Sequence, residues 1–350
     1  MLPAKSLPLS SALIKAPKSP GANLTSTNCI GINKWIRKKY TNPSLSFRSS
    51  CHETSSEPVV VPETRSISAQ KRVNILPEAL PYIEKFHGKT IVVKYGGAAM
   101  KSEALQASVM SDLVLLSRVG LRIVMVHGGG PEINQWLGRL GLKPKFVNGS
   151  RVTDATTMEI VSMVLAGKVN KHLVALINKA GASAVGLSGM DGRLLTARPS
   201  QNSDQLGFVG DIATVDPTVL RQLIDNGHIP VIASIAADKT GQSYNINADI
   251  AAGEVAAALA AEKLILLTDV AGILEDQGDP GSLVKEVDIQ GARRMMNDGK
   301  IAGGMFQKVD CCVRSVAQGV RTATILDGRV QHSLLLEILT DEGVGTMITG

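Results

Sequence analysis

Arg122-Ile-Val-Met-Val-His-Gly-Gly-Gly-Pro-Glu-Ile-Asn134 is the stretch whose reading decides the fold. Residues 123–126 are apolar and mostly β-branched, as a short strand buried on both faces requires. Three glycines follow, then Pro131, then apolar residues at helical spacing (Ile133, Trp136, Leu137, Leu140). Proline is well placed just inside a helix start, where its missing N–H has no partner to lose. The order is therefore strand, glycine turn, helix N-terminus. Glycines let backbone N–H groups approach a ligand without a Cβ in the way. The helix N-terminus adds free donors and partial positive charge. Such a turn receives an anion, phosphate or carboxylate. It is not the dinucleotide pattern G-x-G-x-x-G, because the third position is Ile133. It is not a P-loop either: Gly88-Lys89-Thr90 has the right tail, but Ile83 stands where the first glycine belongs.

Working outward, Thr90-Ile-Val-Val-Lys-Tyr-Gly-Gly97 repeats the arrangement. Lys94 ends a buried strand just before Gly96 and Gly97, where ligands of open α/β sheets bind; the alternative is an ordinary surface lysine. Residues 72–87 carry Leu76, Leu80, Ile83 and Phe86 at helical spacing, with Asn74 as a possible cap and Pro77 near the start. That helix packs on its own domain or reaches a neighbouring subunit. A helix over 103–118 precedes the opening stretch. Val147-Asn-Gly-Ser-Arg-Val-Thr-Asp154 is a polar loop whose Arg151 can hold a carboxylate through two parallel hydrogen bonds. A long, mostly apolar helix spans 155–180. Strands are expected at about 184–188, 229–233, 264–268 and lastly 322–326, with short antiparallel strands within 193–215. Asn245, Asn247 and Asp249 are placed at a helix N-terminus, more polar groups than capping needs. Asp269-Val-Ala-Gly-Ile273 follows a strand. Lys300-Ile-Ala-Gly-Gly-Met-Phe-Gln-Lys308 is a third glycine turn opening a helix, and it carries a second candidate lysine.

The net charge of +6 belongs to the leader. Residues 1–52 hold eight Lys or Arg, nine serines and no Asp or Glu, which leaves 53–350 at −2. A basic, Ser-rich, acid-free leader is expected to be a disordered chloroplast transit peptide, with a linker over 53–71. The alternative is a plain basic tail. Nucleic-acid binding by the body loses its main support. No apolar run is expected to reach the length of a membrane span. Cys29, Cys51, Cys311 and Cys312 show no C-x-x-C or Cys/His pattern, so neither disulfide nor zinc is expected.

The alternation of strands and helices argues a mainly parallel sheet with helices on both faces. Three glycine turns, two lysines, one Asp and one Arg could converge on one sheet edge. No Ser/His/Asp spacing, reactive cysteine or metal cage accompanies them. This set suits phosphoryl transfer, which needs mainly positioning and positive charge.

Val-Lys-Tyr-Gly-Gly, Val-His-Gly-Gly-Gly-Pro-Glu-Ile, Asn-Gly-x-Arg-Val-Thr-Asp, Asn-Ile-Asn-Ala-Asp, Thr-Asp-Val-Ala-Gly-Ile and Gly-Gly-Met-x-x-Lys occur in that order. Over about residues 72–350 the chain thereby resembles the N-acetylglutamate kinases of the amino acid kinase superfamily. The third and fourth motifs separate it from aspartokinase, glutamate 5-kinase, uridylate kinase and carbamate kinase. The resemblance implies a three-layer αβα sandwich over 88–350, its N-terminal half binding the acyl substrate and its C-terminal half ATP. Lys94 and Lys308 would stabilise the transferring phosphoryl group, oriented by Asp249. Gly96, Gly97 and Gly128 would meet the phosphates. Gly129, Gly130, Arg151 and Asn245 would meet N-acetyl-L-glutamate. Asp269, Val270, Gly272, Ile273, Leu274, Lys300, Ile301 and Ala302 would cradle the nucleotide, with Mg²⁺ carried on ATP and no protein metal site. The nucleophile is a carboxylate, with a free pKa of about 4.3, so no general base is required. His127 is then structural, holding its turn through a backbone hydrogen bond. The same resemblance implies arginine inhibition through a segment containing Glu337 and Gly343; Glu337 could equally be a plain helix-face carboxylate. It also implies a homohexamer built as a trimer of dimers through helix 72–87, a stromal location and the PII signalling protein as partner. A kinase of another acylated amino acid such as α-aminoadipate, or a non-catalytic arginine or nucleotide sensor, would be the alternatives.

Overall fold

The computed structural model describes residues 68–350 apart from Lys101 and Glu342. The expected transit peptide (1–52) and residues 53–67 of the expected linker lie outside the described residues. One eight-stranded sheet organises the rest. Its strands are β1 (Thr90–Tyr95), β2 (Arg122–His127), β3 (Ala184–Ser188), β4 (Ile229–Ala233), β5 (Lys263–Thr268), β6 (Glu286–Asp288), β7 (Thr322–Asp327) and β8 (Thr346–Thr349). Their spatial order is β6-β8-β7-β5-β1-β2-β4-β3. Every pairing is parallel except β7 with β8. Residues 322–326 are thus not the last strand, because β8 returns beside them.

Seven helices matter for the site: α1 (Ala69–Phe86), α2 (Glu103–Arg118), α3 (Gly130–Arg139), α4 (Ala155–Lys179), α5 (Ala248–Ala258), α6 (Gly303–Ala317) and α7 (Ser333–Leu339). Successive residues of a strand face opposite sides, so each strand feeds two cores. Ile91, Val93, Ile123, Met125 and Ile265 pack with α2, α4 and α7. Val92, Val124, Val126, Leu264 and Leu266 pack with α5 and α6. That is the expected three-layer αβα sandwich, and burial on both faces is why these strands read as unbroken apolar runs. A small closed sheet of Leu195–Pro199, Val209–Val215, Ile235–Ala237 and Ser243–Ile246 stands beside it, its first two strands antiparallel as expected.

Three local readings are corrected. First, α1 starts three residues before 72, inside the expected linker. Ser68, not Asn74, caps it, accepting from the Lys71 N–H at 3.3 Å, and Pro77 lies within the helix. Second, α4 contains a π-helical segment, Met163–Val169. Third, α4 is long and apolar enough to cross a membrane by length and composition alone. Here Met158, Val161, Leu165, Leu173 and Ile177 are buried against the sheet, as in a core helix.

Candidate active site

Strand alternation decides which side chains meet. Lys94 shares the Val92 face of β1, the face covered by α5 and α6. It therefore reaches Asp249 in the first turn of α5, with Nζ 2.9 Å from Oδ1. Lys308 of α6 reaches the other oxygen, Nζ to Oδ2, at 2.8 Å. Asn247 caps α5, its side-chain oxygen accepting from the Asp249 N–H at 2.8 Å, which fixes the helix end that carries the carboxylate. Burial works against a charged Asp249, but the Lys94 and Lys308 ammonium groups outweigh it and hold the carboxyl at about 2. Two cations thus share one anion. The cluster carries a net positive charge in a poorly solvated place, which favours an incoming anion.

A cavity of about 670 Å³ opens over this cluster. Lys94, Gly96, Gly97, Gly128, Gly129, Gly130, Arg151, Asn245, Asp249, Asp269 and Lys308 all line it. The expected convergence on one sheet edge is what the fold produces. Gly129 is the N-cap of α3, and a Cβ there would stand 2.6 Å from Leu165 Cδ2, so a side chain there would push Leu165 aside. Arg151 is buried, donates from Nη2 to the Gly130 carbonyl at 3.3 Å, and lies over the Phe146 ring. Burial lowers its pKa. Its Nη1 has no hydrogen-bond partner among the described residues, although it is buried. A buried, unpaired guanidinium nitrogen on a cavity wall is matched to a carboxylate. Asn245 lies on the strand Ser243–Ile246, not at the helix start, and donates to Thr153 Oγ1 at 3.3 Å.

His127 shares the Met125 face of β2 and meets α4. Its Nδ1–H donates to the Gly128 carbonyl at 2.9 Å. Burial pushes its pKa down to about 4, so the ring is neutral.

The other expected nucleotide residues lie outside this cavity. Ile273 and Ile301 are core residues, and the Ile273 N–H donates to Thr346 Oγ1 at 2.8 Å. Val270 and Lys300 are exposed, Gly272 packs on Thr346, Leu274 bridges Leu283, and Ala302 is the N-cap of α6. Glu337 and Gly343 line a separate pocket of about 240 Å³ beside Tyr82 and Lys85 of α1. Glu337 is not a solvated helix-face carboxylate. It is buried, 2.7 Å from Lys263 Nζ, and accepts from Thr324 Oγ1 at 2.9 Å. Lys263 went unremarked in the sequence, although a lysine opening a strand of Leu and Ile is a usable signal. Asn170, a buried amide in a mostly apolar helix, carries no comparable signal. Cys311 and Cys312 are free and buried in α6.

The model of the "Amino acid kinase family" matches residues 89–327. The chain is 68% identical over 297 residues to the chloroplastic acetylglutamate kinase of Arabidopsis thaliana, covering 85% of this chain and 86% of that one. It is 61% identical over 279 residues to the acetylglutamate kinase of Nostoc sp., covering 80% and 94%. Among solved structures it is similar to an N-acetylglutamate synthase from Neisseria gonorrhoeae complexed with coenzyme A and N-acetyl-glutamate. The TM-score is 0.71 at 28% identity, covering 79% of this chain and 63% of that one. A carbamate kinase from Giardia lamblia bound to AMP-PNP shares the fold, with a TM-score of 0.56 at 17% identity over 75% and 98%.

Proposed function

This chain belongs to the amino acid kinase family and, within it, to the acetylglutamate kinases, and from that premise we propose how its residues do the work. The protein phosphorylates the γ-carboxylate of N-acetyl-L-glutamate with ATP, in arginine biosynthesis, and is a chloroplast protein of the stroma. A γ-carboxylate oxygen forms a bond to the γ-phosphorus while the bond from that phosphorus to the ADP oxygen breaks. The carboxylate arrives ionised, so no proton needs removing.

Lys94 and Lys308 face the transferring phosphoryl group and stabilise its charge; Asp249 holds both ammonium groups in place. The observation that carries this reading is the Lys94–Asp249–Lys308 cluster, two cations on one buried anion at 2.9 and 2.8 Å beneath a large cavity. Arg151 takes the substrate α-carboxylate with its unpaired Nη1, and Asn245, Gly129 and Gly130 complete the acyl side. Gly96 and Gly97 offer backbone donors to phosphate, and Gly128, whose N–H donates to the Tyr95 carbonyl at 3.3 Å, meets it as a wall without a side chain. Asp269, Val270, Gly272, Ile273, Leu274, Lys300, Ile301 and Ala302 form the nucleotide side, the last seven through backbone and shape. Mg²⁺ is the cofactor, and it fits as a companion of ATP, because the side chains facing the phosphate position are chiefly lysines. When bound it neutralises phosphate charge. The acyl substrate is thus assigned chiefly to the N-terminal half of 88–350, joined by Asn245, and ATP chiefly to the C-terminal half, with Lys94, Gly96, Gly97 and Gly128 at its phosphates.

Regulation is part of the same proposal. Arginine binds in the 240 Å³ pocket, its guanidinium near Glu337 and its approach bounded by Gly343. Helix α1 leaves Val73, Ile75, Leu76 and Leu80 exposed, which supports a homohexamer assembled as a trimer of dimers through that helix. PII is the proposed signalling partner, and a leader over 1–52 the proposed transit peptide. The test is phosphorus NMR of the purified protein with ATP, Mg²⁺ and N-acetyl-L-glutamate. An acyl phosphate signal that requires N-acetyl-L-glutamate, and that is lost in Lys94→Ala, is expected. A signal of equal size from N-acetyl-aminoadipate would contradict the substrate assignment.

A further inference from the structure

Behind the Gly128–Gly130 turn lies a buried polar chain that the reaction as described does not use. His127 and Asn170 are both fully buried. The Asn170 side-chain nitrogen lies 3.1 Å from His127 Nε2, 3.1 Å from the Leu187 carbonyl and 2.8 Å from the Val231 carbonyl. Two of those partners are carbonyls, which only accept, so the amide must present its NH₂ here. Its oxygen is left without a partner, and its two hydrogens are shared among the three acceptors. The NH₂ group has no lone pair to offer, so His127 Nε2 has no acceptor for a proton and is the bare nitrogen. The ring proton is therefore on Nδ1, where the Gly128 carbonyl accepts it at 2.9 Å. One tautomer and one ring orientation follow.

The peptide group does the rest. Across a trans peptide the C=O of one residue and the N–H of the next point in opposite directions. With the Gly128 carbonyl drawn to His127 on the α4 side of the sheet, the Gly129 N–H is turned to the opposite side, that of Lys94 and Asp249; Gly129 lines the large cavity there and a smaller one on the α4 side. The π-helical segment Met163–Val169 sets this up from below. It brings Leu165 and Val169 under Gly129 and ends immediately before Asn170. Extra turns of this type commonly occur at functional sites.

We propose that His127, held in its Nδ1–H tautomer by Asn170, is a positioning residue that aims the Gly129 N–H at the substrate carboxylate and the phosphoryl group forming on it. This rests on the assignment of Gly129 to the acyl substrate. His127 touches neither substrate nor nucleotide. It acts through one carbonyl.

Two substitutions separate this role from simple packing. Asparagine carries its NH₂ close to where histidine carries Nδ1, so His127→Asn keeps the donor to Gly128. Glutamine carries it close to where Nε2 stands, so His127→Gln loses that donor while filling more of the space. Rates and KM values for N-acetyl-L-glutamate and ATP would be measured for both, beside wild type and Lys308→Ala. A lost oxyanion donor typically costs about 10²–10³ in kcat, so His127→Gln should lose about 100-fold in kcat with little change in KM for ATP. His127→Asn keeps the donor and should stay within about tenfold of wild type, short of the roughly 10²–10³ of a lost donor. Histidine-labelled wild-type protein should show by nitrogen NMR one ring with a protonated Nδ1 and a bare Nε2. Equal losses in the Asn and Gln variants, losses mainly in KM for ATP, or a ring protonated at Nε2 would overturn the proposal. If wild type does not turn over N-acetyl-L-glutamate, the function reading fails instead, and the NMR tautomer still judges the His127–Asn170 arrangement by itself.

Discussion

Two buried carboxylates of this protein are each held by lysine, yet they face different tasks. Asp249 lies between Lys94 and Lys308, and Glu337 pairs with Lys263 and accepts from Thr324. In the first cluster the cations outnumber the anion, and the cluster opens on a cavity walled by glycines and Arg151. In the second the charges balance, and further acids, Glu286 and Asp341, stand at the pocket wall beside Lys85 and Lys285. Surplus positive charge in a poorly solvated site attracts a phosphate; a pocket whose three lysines and three acids balance holds no such surplus to repel a cation. The same type of bond is therefore proposed as part of a phosphoryl site in one place and of an effector pocket in the other. The stoichiometry of charge distinguishes them, not the bond.

Removing a cation from the first cluster should have the largest effect. Lys308→Ala is expected to lower kcat by on the order of 10²–10³, read by steady-state ADP release. Asp249→Asn leaves two buried ammonium groups without their anion and should cost about 3–5 kcal/mol of stability, read by urea denaturation. If it cost less than a surface substitution, the neutralising role of Asp249 would be wrong. Arg151→Ala should act on binding, raising KM for N-acetyl-L-glutamate by about 10–100-fold, as loss of a charge-assisted hydrogen bond of roughly 1.5–3 kcal/mol does, while KM for ATP stays put. On the other side of the comparison, Glu337→Gln should raise the arginine concentration for half-inhibition by about tenfold, the equivalent of about 1.4 kcal/mol. An unchanged arginine response would remove Glu337 from the effector pocket.

A last prediction, at His127, is read in stability against pH. Burial lowers its pKa from 6.5 to about 4, so between those values the unfolded chain takes a proton that the folded chain refuses. Stability is fully present above about 6.5 and falls as the pH drops towards 4, by about 1.4 kcal/mol per unit from this one group. His127→Asn should flatten that part of the pH–stability curve. An unchanged slope would mean that the ring takes up its proton in the folded protein.

Much of this was legible in the sequence for physical reasons. A parallel strand buried on both faces must be continuously apolar, so Lys94 at the end of Ile91-Val-Val93 stood out at once. The glycine turns announced themselves because little else explains three glycines behind a buried strand. Other features were hidden by short or ambiguous elements. Asn245 belongs to a four-residue strand, Ser243–Ile246, too short to show its period before the helix cap at Asn247. The start of α1 was misplaced because Asn74 is also a good capping residue and Pro77 reads as a first-turn proline; Ser68 does the capping. Asn170 was invisible because its partner is chosen by the π-helical segment, a register shift with no compositional signature. Glu337 was undecided because helical periodicity alone does not say that Lys263 waits across the interface between β5 and α7.

The central claim is that the Lys94–Asp249–Lys308 cluster drives phosphoryl transfer to N-acetyl-L-glutamate. Its most direct test is acyl hydroxamate formation, with hydroxylamine trapping the product of the purified protein, ATP and Mg²⁺, in wild type and Lys308→Ala side by side. The account predicts hydroxamate that depends on N-acetyl-L-glutamate and collapses in the variant. Hydroxamate formed undiminished by Lys308→Ala, or ADP released without any need for N-acetyl-L-glutamate, would contradict it.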